Sequence, residues 1–458
     1  MQKYCIAACF LFSLVLVDSL VAYQTVKVDS CDVTWLWPVP ENSNDVENLI
    51  DLDELVTNSG DKVWSDESFE DLLSAIDGGA SAVRVTDTLK REIGLNDAFR
   101  KRATWKIAAM RIDPSAPGGS DELIEQFGEA PQIRLIVQPV TIRDNKAVVH
   151  DVAVHLVFSY LKGMEGSKRI PDREKFKTIV NDILALKKQC GGSGVKTAGA
   201  MLGVHPGLVD NSVPELTKSV ESFLGKHLTP PHLTAMAIMG LQHPEPWIFV
   251  ALFRQAPTER FRPLPIPVFT NPNAEPAERF KTAQMLNFRE SPNVMPVPQT
   301  NNRNPITSDL AVPLAKRRGV SAAPLFADAF GTTRGKPAVV GTDESGDSVV
   351  DSELKNADIP DFIANPTVAH FFNTDCVSCH VESQRRFALN TAASKFAFKW
   401  PEGVSTLDPA VAQAPPWNVR NLGWFPDFFG KPTAATISQR TANETAEVVE
   451  FINLKYLE

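Results

Sequence analysis

QIRLIVQPVTI, residues 132–142, and AVVHDVAVHLVFSY, residues 147–160, are the two segments that decide the fold, and RDNK, residues 143–146, joins them. Both segments are rich in β-branched residues, which favour strands. The connection contains Asp and Asn, which are typical turn residues because they tolerate a left-handed backbone. The sequence therefore predicts a β-hairpin within an antiparallel sheet.

Amphipathic segments surround this hairpin. DREKFKTIVNDILALKKQC at 172–190 has apolar residues at helical spacing, and its acids at the start and lysines at the end suit the helix dipole. Similar spacing predicts further helices at 46–57, 65–76 and 213–228. Further strands are predicted at 104–113 and 246–255. Together these elements predict an α+β domain with an antiparallel sheet over residues 23–255.

The second half of the chain has a different character. Residues 256–320 are interrupted by many prolines, which predicts a Pro-rich irregular linker. Residues 321–458 follow and end in NETAEVVEFINLKYL, 443–457, which predicts a terminal helix with Asn443 as its N-cap. We expect a small, mainly α-helical domain in this last part.

The N-terminus predicts export. Residues 1–22 contain one lysine and then an apolar run of signal-peptide length, followed by small residues at which cleavage would occur. A retained membrane anchor is the alternative. We expect a periplasmic or secreted protein with no stable membrane span after cleavage. The net charge of −9 argues against a nucleic-acid partner, which would require a basic face.

The chain has six cysteines, two of which lie in the predicted signal peptide. Cys376 and Cys379 belong to a motif discussed below. Cys31 and Cys190 remain, and two leftover cysteines in an exported protein favour a disulfide between them. That bridge would tie the mature N-terminus to the end of a helix.

HFFNTDCVSCH, residues 370–380, carries the chemistry that is most specific in this sequence. Cys376, Cys379 and His380 form C-x-x-C-H, the pattern of covalent haem c attachment. Two thiols on one helical turn reach the two vinyl groups at one edge of a porphyrin, and the next histidine then faces the iron as an axial ligand. Attachment of this kind occurs on the exported side of a membrane, in agreement with the signal peptide.

Three other interpretations of the motif are weaker. A thioredoxin-type redox pair would follow a strand in a βαβ unit, and no such unit is apparent here. A zinc site would need a second Cys or His pair nearby, and the remaining cysteines are distant in sequence. A disulfide between Cys376 and Cys379 would close a strained small loop. The motif therefore predicts one covalent haem c per chain.

The region around this motif resembles c-type cytochrome domains, through Cys376, Cys379 and His380. The resemblance implies a covalent haem with His380 as the proximal ligand, and a cytochrome c-like haem domain over residues 321–458. It covers only the motif and the C-terminal helix. The N-terminal domain carries no such resemblance, and its role stays open.

The second axial ligand departs from a common pattern, because no methionine and no histidine follows His380. It must come from upstream or be absent. We favour His370, because an extended chain of six residues spans about 20 Å and can pass around the haem edge. The alternative is that His370 is an ordinary surface or core histidine. Other candidate ligands are His205, His227, His232, His243, Met236, Met239, Met285 and Met295. In HLTAMAIM, residues 232–239, helical spacing would place His232, Met236 and Met239 on one face.

The function that follows is electron transfer through the haem to a redox partner protein. Two ligands from the chain would saturate the iron, as in an electron carrier. No pair of side chains stands out for acid–base catalysis, so a carrier is favoured over a catalyst. The alternative is an open sixth position, which would make the protein a peroxidase-like haem enzyme or a gas sensor. A third possibility is that haem mainly stabilises the fold.

Overall fold

The computed structural model describes residues 27–82, 97–115, 124, 128–166, 168–209, 212–213, 215–240, 248–254, 260–263, 267–268, 284–285, 340–342, 348–350, 364, 366, 380, 382–383, 406–413, 418, 420–427 and 432–457. The predicted signal peptide and most of the predicted linker lie outside these residues. Both therefore stay predictions.

The strands are β1 (Thr34–Leu36), β2 (Trp105–Asp113), β3 (Gln132–Arg143), β4 (Lys146–Val149), β5 (Val152–Ser159), β6 (Leu161–Glu165), β7 (Lys168–Pro171), β8 (Leu233–Gly240), β9 (Ile248–Arg254), β10 (Phe261–Pro263), β11 (Pro267–Val268), β12 (Gln284–Met285), β13 (Val340–Thr342), β14 (Ser348–Val350), β15 (Leu422–Phe425) and β16 (Ala434–Ile437). The α-helices are α1 (Ser30–Val33), α2 (Ser43–Glu47), α3 (Asp66–Ala82), α4 (Arg173–Gly192), α5 (Leu216–His227) and α6 (Gln439–Lys455). Short 3₁₀ helices span Asp97–Arg100, Arg102–Thr104 and Pro230–His232.

An eight-stranded antiparallel sheet organises the chain. Its order is β1-β2-β3-β5-β8-β9-β10, and β4 pairs with the far end of β3. This confirms the predicted α+β class with an antiparallel sheet. The predicted turn is confirmed as well: Asp144 and Asn145 have φ of 51° and 61°, the left-handed conformations that a tight hairpin requires.

The two faces of the sheet differ in chemistry. One face carries apolar side chains, such as Leu135, Met110 and Leu156, in a core shared with α4 and α5. Alternation along the same strands places polar side chains on the opposite face, among them Arg111 on β2 and Gln138 on β3. An ordinary sheet would leave such a face to water. Here the C-terminal segments cover it.

The C-terminal elements close over this polar face through buried hydrogen bonds. Gln138 accepts from Trp424 N at 2.7 Å and donates to Trp424 O at 2.8 Å, so β15 is held against β3 by one amide side chain. The Trp424 indole N–H donates to Trp37 O at 3.0 Å. Val448, Val449 and Ile452 of α6 belong to the same core as the sheet. The end of the segment predicted as a separate domain therefore shares its core with the N-terminal domain.

Three details of the secondary structure differ from the prediction. Residues 46–57 are not one helix, because α2 ends at Glu47. Asp51 instead forms a β-bridge to Lys106, and the Asp51 carboxylate also forms an ion pair with Lys106 Nζ at 2.7 Å. Residues 233–239 lie in β8 rather than in a helix, because Leu233, Met236 and Ile238 pack into the core beside β5, and His232 ends the short 3₁₀ helix before it. Helix α6 begins earlier than expected, with Ser438 as its cap.

Gly423 provides a test of how β15 is held. Its φ is 124°, and a Cβ atom there would lie 2.5 Å from Gln138 Oε1. We expect Gly423→Ala to lower the free energy of unfolding by about 3 kcal/mol, from backbone strain and from displacement of Gln138. Gly60→Ala is the matched control, because Gly60 has φ of 89° and open space around it. It should cost about 1 kcal/mol. Equal losses in urea unfolding would contradict this account of Gln138.

Candidate functional site

The structure places only part of the predicted site. Cys376, Cys379 and His370 lie outside the described residues, so their geometry stays a prediction. His380 is described: it is half-buried and helical. Glu382 and Ser383, just after it, are helical as well, and both are buried. A helical conformation at His380 is the one that the C-x-x-C-H motif requires.

Two contacts fix the position of the His380 segment. The buried side chain of Gln413 donates from Nε2 to His380 O at 3.3 Å and to Arg420 O at 3.2 Å. Ser383 Oγ accepts from Gln439 N at 3.1 Å, at the first residue of α6. The segment therefore lies between the start of α6 and the chain that leads into β15. Both of these elements cover the polar face of the sheet.

Glu444 ties α6 to the sheet at β2. Its carboxylate accepts from Arg111 Nη1 at 2.5 Å and from Arg440 Nε at 2.7 Å, and all three side chains are buried. Burial alone would raise the pKa of Glu444, but the charges of Arg440 and Arg111 outweigh it and lower the pKa to about 2. The group is therefore a permanent carboxylate in the folded protein.

A second ion pair joins the β15 approach to the start of β5. Arg420 is 1% exposed and donates from Nη2 to Asp151 Oδ1 at 2.9 Å. Burial raises the pKa of Asp151 to about 7, in spite of the opposing charge of Arg420. Asp151 precedes β5 directly. The Arg420 guanidinium thus stands where β5 enters the sheet.

His155 lies on the polar face in the middle of β5. It pairs with Ile136 on β3, and Arg134 is the diagonal neighbour on the same face, opposite Val157. Desolvation lowers the pKa of His155 well below its usual value, and the positive charges of Arg134, His380 and Arg420 lower it further. Glu444 opposes these charges, but burial and the cations together favour the neutral imidazole. The sequence places His150 and His155 on opposite faces of a strand, which argued against a shared metal site, and His155 was not among the candidate haem ligands.

Several buried N–H groups on this face lack a hydrogen-bond acceptor. Within the described part of the chain they include the Nε atoms of Arg134, Arg420 and Arg111, whereas Nη2 of Arg111 forms an ion pair with Asp113 Oδ2 at 3.6 Å. A buried donor without an acceptor costs about 1–3 kcal/mol. Three arginines with unpaired donors on one face favour an anionic group that the protein binds there.

The polar face is closed at β2 and open at β8. Arg111 and Asp113 on β2 are almost fully buried, whereas His155 on β5 is half-buried. Ala237 on β8, the partner of His155 in the sheet, is exposed. The face thus changes from packed protein to accessible surface over a few strands. The surface next to His155 is lined by the small side chains of Ala235, Ala237 and Ala251.

The other histidines proposed as ligands have different roles. His205 stacks on Trp35 with ring centroids 3.7 Å apart and accepts from Gly207 N, and burial lowers its pKa to about 3. The ring of His227 bonds Asp182, and that of His232 bonds Thr229. Met236 is in the core. Met239 and Met285 lie in strands, whereas His243 and Met295 are outside the described residues.

The structure has Cys31 and Cys190 as buried free thiols, and a disulfide between them stays a prediction. The two sulfur atoms face different neighbours. Sγ of Cys31 donates to Met201 O at 3.4 Å, whereas Sγ of Cys190 would lie 3.2 Å from a Cβ atom built on Gly207. Burial raises the pKa of both thiols, so neither is a reactive thiolate at neutral pH.

We compared the chain with known protein families, curated proteins and solved structures. No family model, no curated protein and no solved structure matches the chain. Among the residues that the structure describes, no three His, Cys, Asp or Glu side chains converge on a metal-ion site. No helix in those ranges is both long and apolar enough to cross a bilayer.

The charge of Glu444 can be tested through pH. Because its pKa is lowered to about 2 from an ordinary 4.5, its contribution to stability is complete above pH 4.5 and is lost as pH falls toward 2. We expect Glu444→Gln to cost about 3 kcal/mol of unfolding free energy at neutral pH, since it leaves buried Arg111 unpaired. The difference from wild type should shrink below pH 4.5.

The control for this experiment is Glu450→Gln, on an exposed position of the same helix. It should change the unfolding free energy by less than about 0.5 kcal/mol at every pH. Urea titrations at a series of pH values measure both variants. A cost for Glu444→Gln that stays constant down to pH 3 would contradict the assignment of the charge.

Proposed function

We propose that this protein is an exported monohaem c-type cytochrome that passes electrons to a redox partner protein. Cys376 and Cys379 hold the haem through thioether bonds, and His380 is the proximal ligand. The observation that carries the proposal is the position of His380. Its helical segment is hydrogen-bonded to Gln413 and to the start of α6, and α6 covers a sheet face that carries His155 and arginines with unpaired Nε–H groups.

The residues on this face fit a haem in both charge and shape. Haem has two propionate carboxylates, and Arg134 and Arg420 have buried Nε–H donors without acceptors within the described residues. Haem is also flat, and the small side chains at Ala235 and Ala237 leave a flat surface on β8 beside His155. When bound, a haem supplies one-electron redox chemistry through its iron.

An electron carrier is favoured over a haem enzyme by the state of the neighbouring groups. A peroxidase-like function needs an acid–base group that exchanges protons near the iron. Burial, assisted by nearby cations, favours the neutral form of His155, and Glu444 is held ionised between two arginines. Neither group changes its protonation state near neutral pH. Asp151, whose pKa is raised to about 7, is the exception, and its carboxylate is engaged by Arg420 at 2.9 Å. His155 and Glu444 thus provide electrostatics rather than proton transfer.

Export is part of this proposal. Haem c attachment takes place on the exported side of a membrane, and residues 1–22 have the pattern of a signal peptide. The proposal places the mature protein in the periplasm or outside the cell. The exposed surface around Ala237 lies on the same face as His155. It is the part of this face at which a partner protein can approach.

Covalent haem tests the proposal directly. We expect wild-type protein made together with haem c maturation enzymes to retain one haem after denaturation, with the pyridine haemochrome spectrum of two thioether bonds. Cys376→Ala with Cys379→Ala should abolish the attachment, because the thiols form those bonds. Ser378→Ala is the matched control within the motif and should leave attachment intact.

The absorption spectrum of the reduced protein separates carrier from enzyme. Low-spin bands that carbon monoxide does not shift indicate an iron with two protein ligands, as the proposal requires. Bands that carbon monoxide shifts in the wild-type protein would favour an open site and a haem enzyme or gas sensor. Absence of covalent haem from the wild-type protein would overturn the proposal itself.

A further inference from the structure

We propose that Arg134 binds a carboxylate whose flat apolar body lies along the open part of the sheet face. The inference needs no haem and therefore goes beyond the proposed function. A haem propionate is one source of such a carboxylate, and a free monocarboxylic acid with an apolar body is the other. Each residue of the site belongs to the described strands of the sheet.

Arg134 lies in a row of directly paired residues that runs across the sheet. Arg111 on β2 pairs with Arg134 on β3, which in turn pairs with Val157 on β5. The row continues through Ala235 on β8 and Phe253 on β9. Directly paired residues project from the same face of a sheet, so these five side chains all lie on the polar face.

Exposure to solvent increases along this row. Arg111 is 2% exposed, whereas Arg134 and the three apolar residues after it are half-buried. Arg262, which pairs with Phe253 at the end of the row, is exposed. Because neighbouring strands are about 4.8 Å apart, the stretch from Arg134 to Phe253 is about 14 Å long. The row thus combines a cation at its covered end with an apolar strip that opens to solvent.

The guanidinium of Arg134 has no anionic partner among the described residues. Its Nε atom is buried and lacks an acceptor. The carboxylates near it are engaged by other cations: Glu444 accepts from Arg111 and Arg440, and Asp113 Oδ2 lies 3.6 Å from Arg111 Nη2. Like charges directly opposite each other in a sheet repel, and an unpaired buried donor adds a further cost. An anion bound at Arg134 removes both costs.

Buried arginines elsewhere in the described residues do have carboxylate partners. Arg102 donates to Asp53 from both Nε and Nη2, at 2.9 and 2.7 Å. Arg420 donates to Asp151 at 2.9 Å. Arg134 departs from this pattern although its Nε is also buried. The missing partner is therefore specific to this position and is not the general way in which the fold holds an arginine.

The surroundings of Arg134 favour a carboxylate with an apolar body over an inorganic anion. A guanidinium offers parallel N–H donors that match the two oxygens of one carboxylate. The side chains of Val157, Ala235 and Phe253 have no polar group that could bond the further oxygens of phosphate or sulfate. They offer apolar contact instead, and an aromatic ring such as that of Phe253 packs well against another flat group.

Benzoate is a suitable probe, because it combines one carboxylate with a flat apolar ring. We expect benzoate to raise the urea midpoint of the full chain, as a ligand of the native state does. Arg134→Met should weaken benzoate binding at least about tenfold in calorimetric titrations, since it removes a charge-assisted bond. Arg143→Met, at an exposed position of the same strand, is the matched control and should keep the wild-type affinity. Benzamide, which has no charge, should not shift the midpoint.

Stability without a ligand separates a binding role from a structural one. In protein made without haem and without added carboxylate, we expect Arg134→Met to raise the urea midpoint. The substitution removes both a charge opposite Arg111 and a donor without an acceptor. A structural role would require the opposite result. A lower midpoint, or an Arg134→Met chain that does not fold, would overturn the inference.

Preparations with and without covalent haem separate the two sources of the carboxylate. Benzoate binding only to the preparation without haem supports the inference and assigns the site to a haem propionate. Equal binding to both preparations supports it and assigns the site to a free acid. No binding to either preparation, or equal affinity in wild type and Arg134→Met, would overturn the inference and leave the proposed function intact. A wild-type chain that acquires no covalent haem but binds benzoate through Arg134 would overturn the proposed function alone.

Discussion

Glu444 is a buried carboxylate that accepts hydrogen bonds from two buried arginines, and the arrangement of the C-terminal segments depends on it. Burying a charge costs several kcal/mol unless a partner compensates it. Arg111 is fixed on β2, next to the edge strand β1, so the carboxylate must come to it. Helix α6 carries that carboxylate and is thereby held across the polar face.

This constraint makes the sheet asymmetric. Near β2 the polar face is sealed by α6 and β15, and Gln138 satisfies both backbone groups of Trp424 there. Toward β8 no described element covers the face, and Ala237 is exposed. His155 lies at the transition. Such a border favours a binding site. Packing on the covered side orients a protein side chain, and the open side gives a bound group access to it.

The sequence predicted the sheet well where local chemistry determines it. The hairpin depends on Asp144 and Asn145, whose preference for left-handed conformations is a property of those residues alone. Helix α4 has an equally local signal in its apolar spacing and charged ends. By contrast, residues 46–57 and 232–239 have apolar spacing compatible with a helix but do not form one. The bridge to Lys106 holds Asp51 in an extended conformation, and pairing with β5 makes most of 232–239 a strand. Tertiary contacts overrode the local pattern in both.

His155 was missed for a related reason. Strand β5 is covered on both faces at its start, so Ala153 and Val154 are both buried and the strand shows no alternation that would mark one face as special. The connection of the His380 segment to the start of β5 results from the Gln413 and Arg420 contacts, which no local pattern encodes. The motif at 376–380 was visible because its chemistry is contained in five consecutive residues. The contacts that hold it were not, because only folding forms them.

The most direct test is a crystal structure of the matured protein with its haem. The account predicts one haem with thioether bonds to Cys376 and Cys379, iron bonded to a ring nitrogen of His380, and a propionate at Arg134 or Arg420. A haem with neither propionate at these arginines would contradict the placement of the haem on the sheet. Free thiols at Cys376 and Cys379 in protein made with the maturation enzymes would contradict the account as a whole.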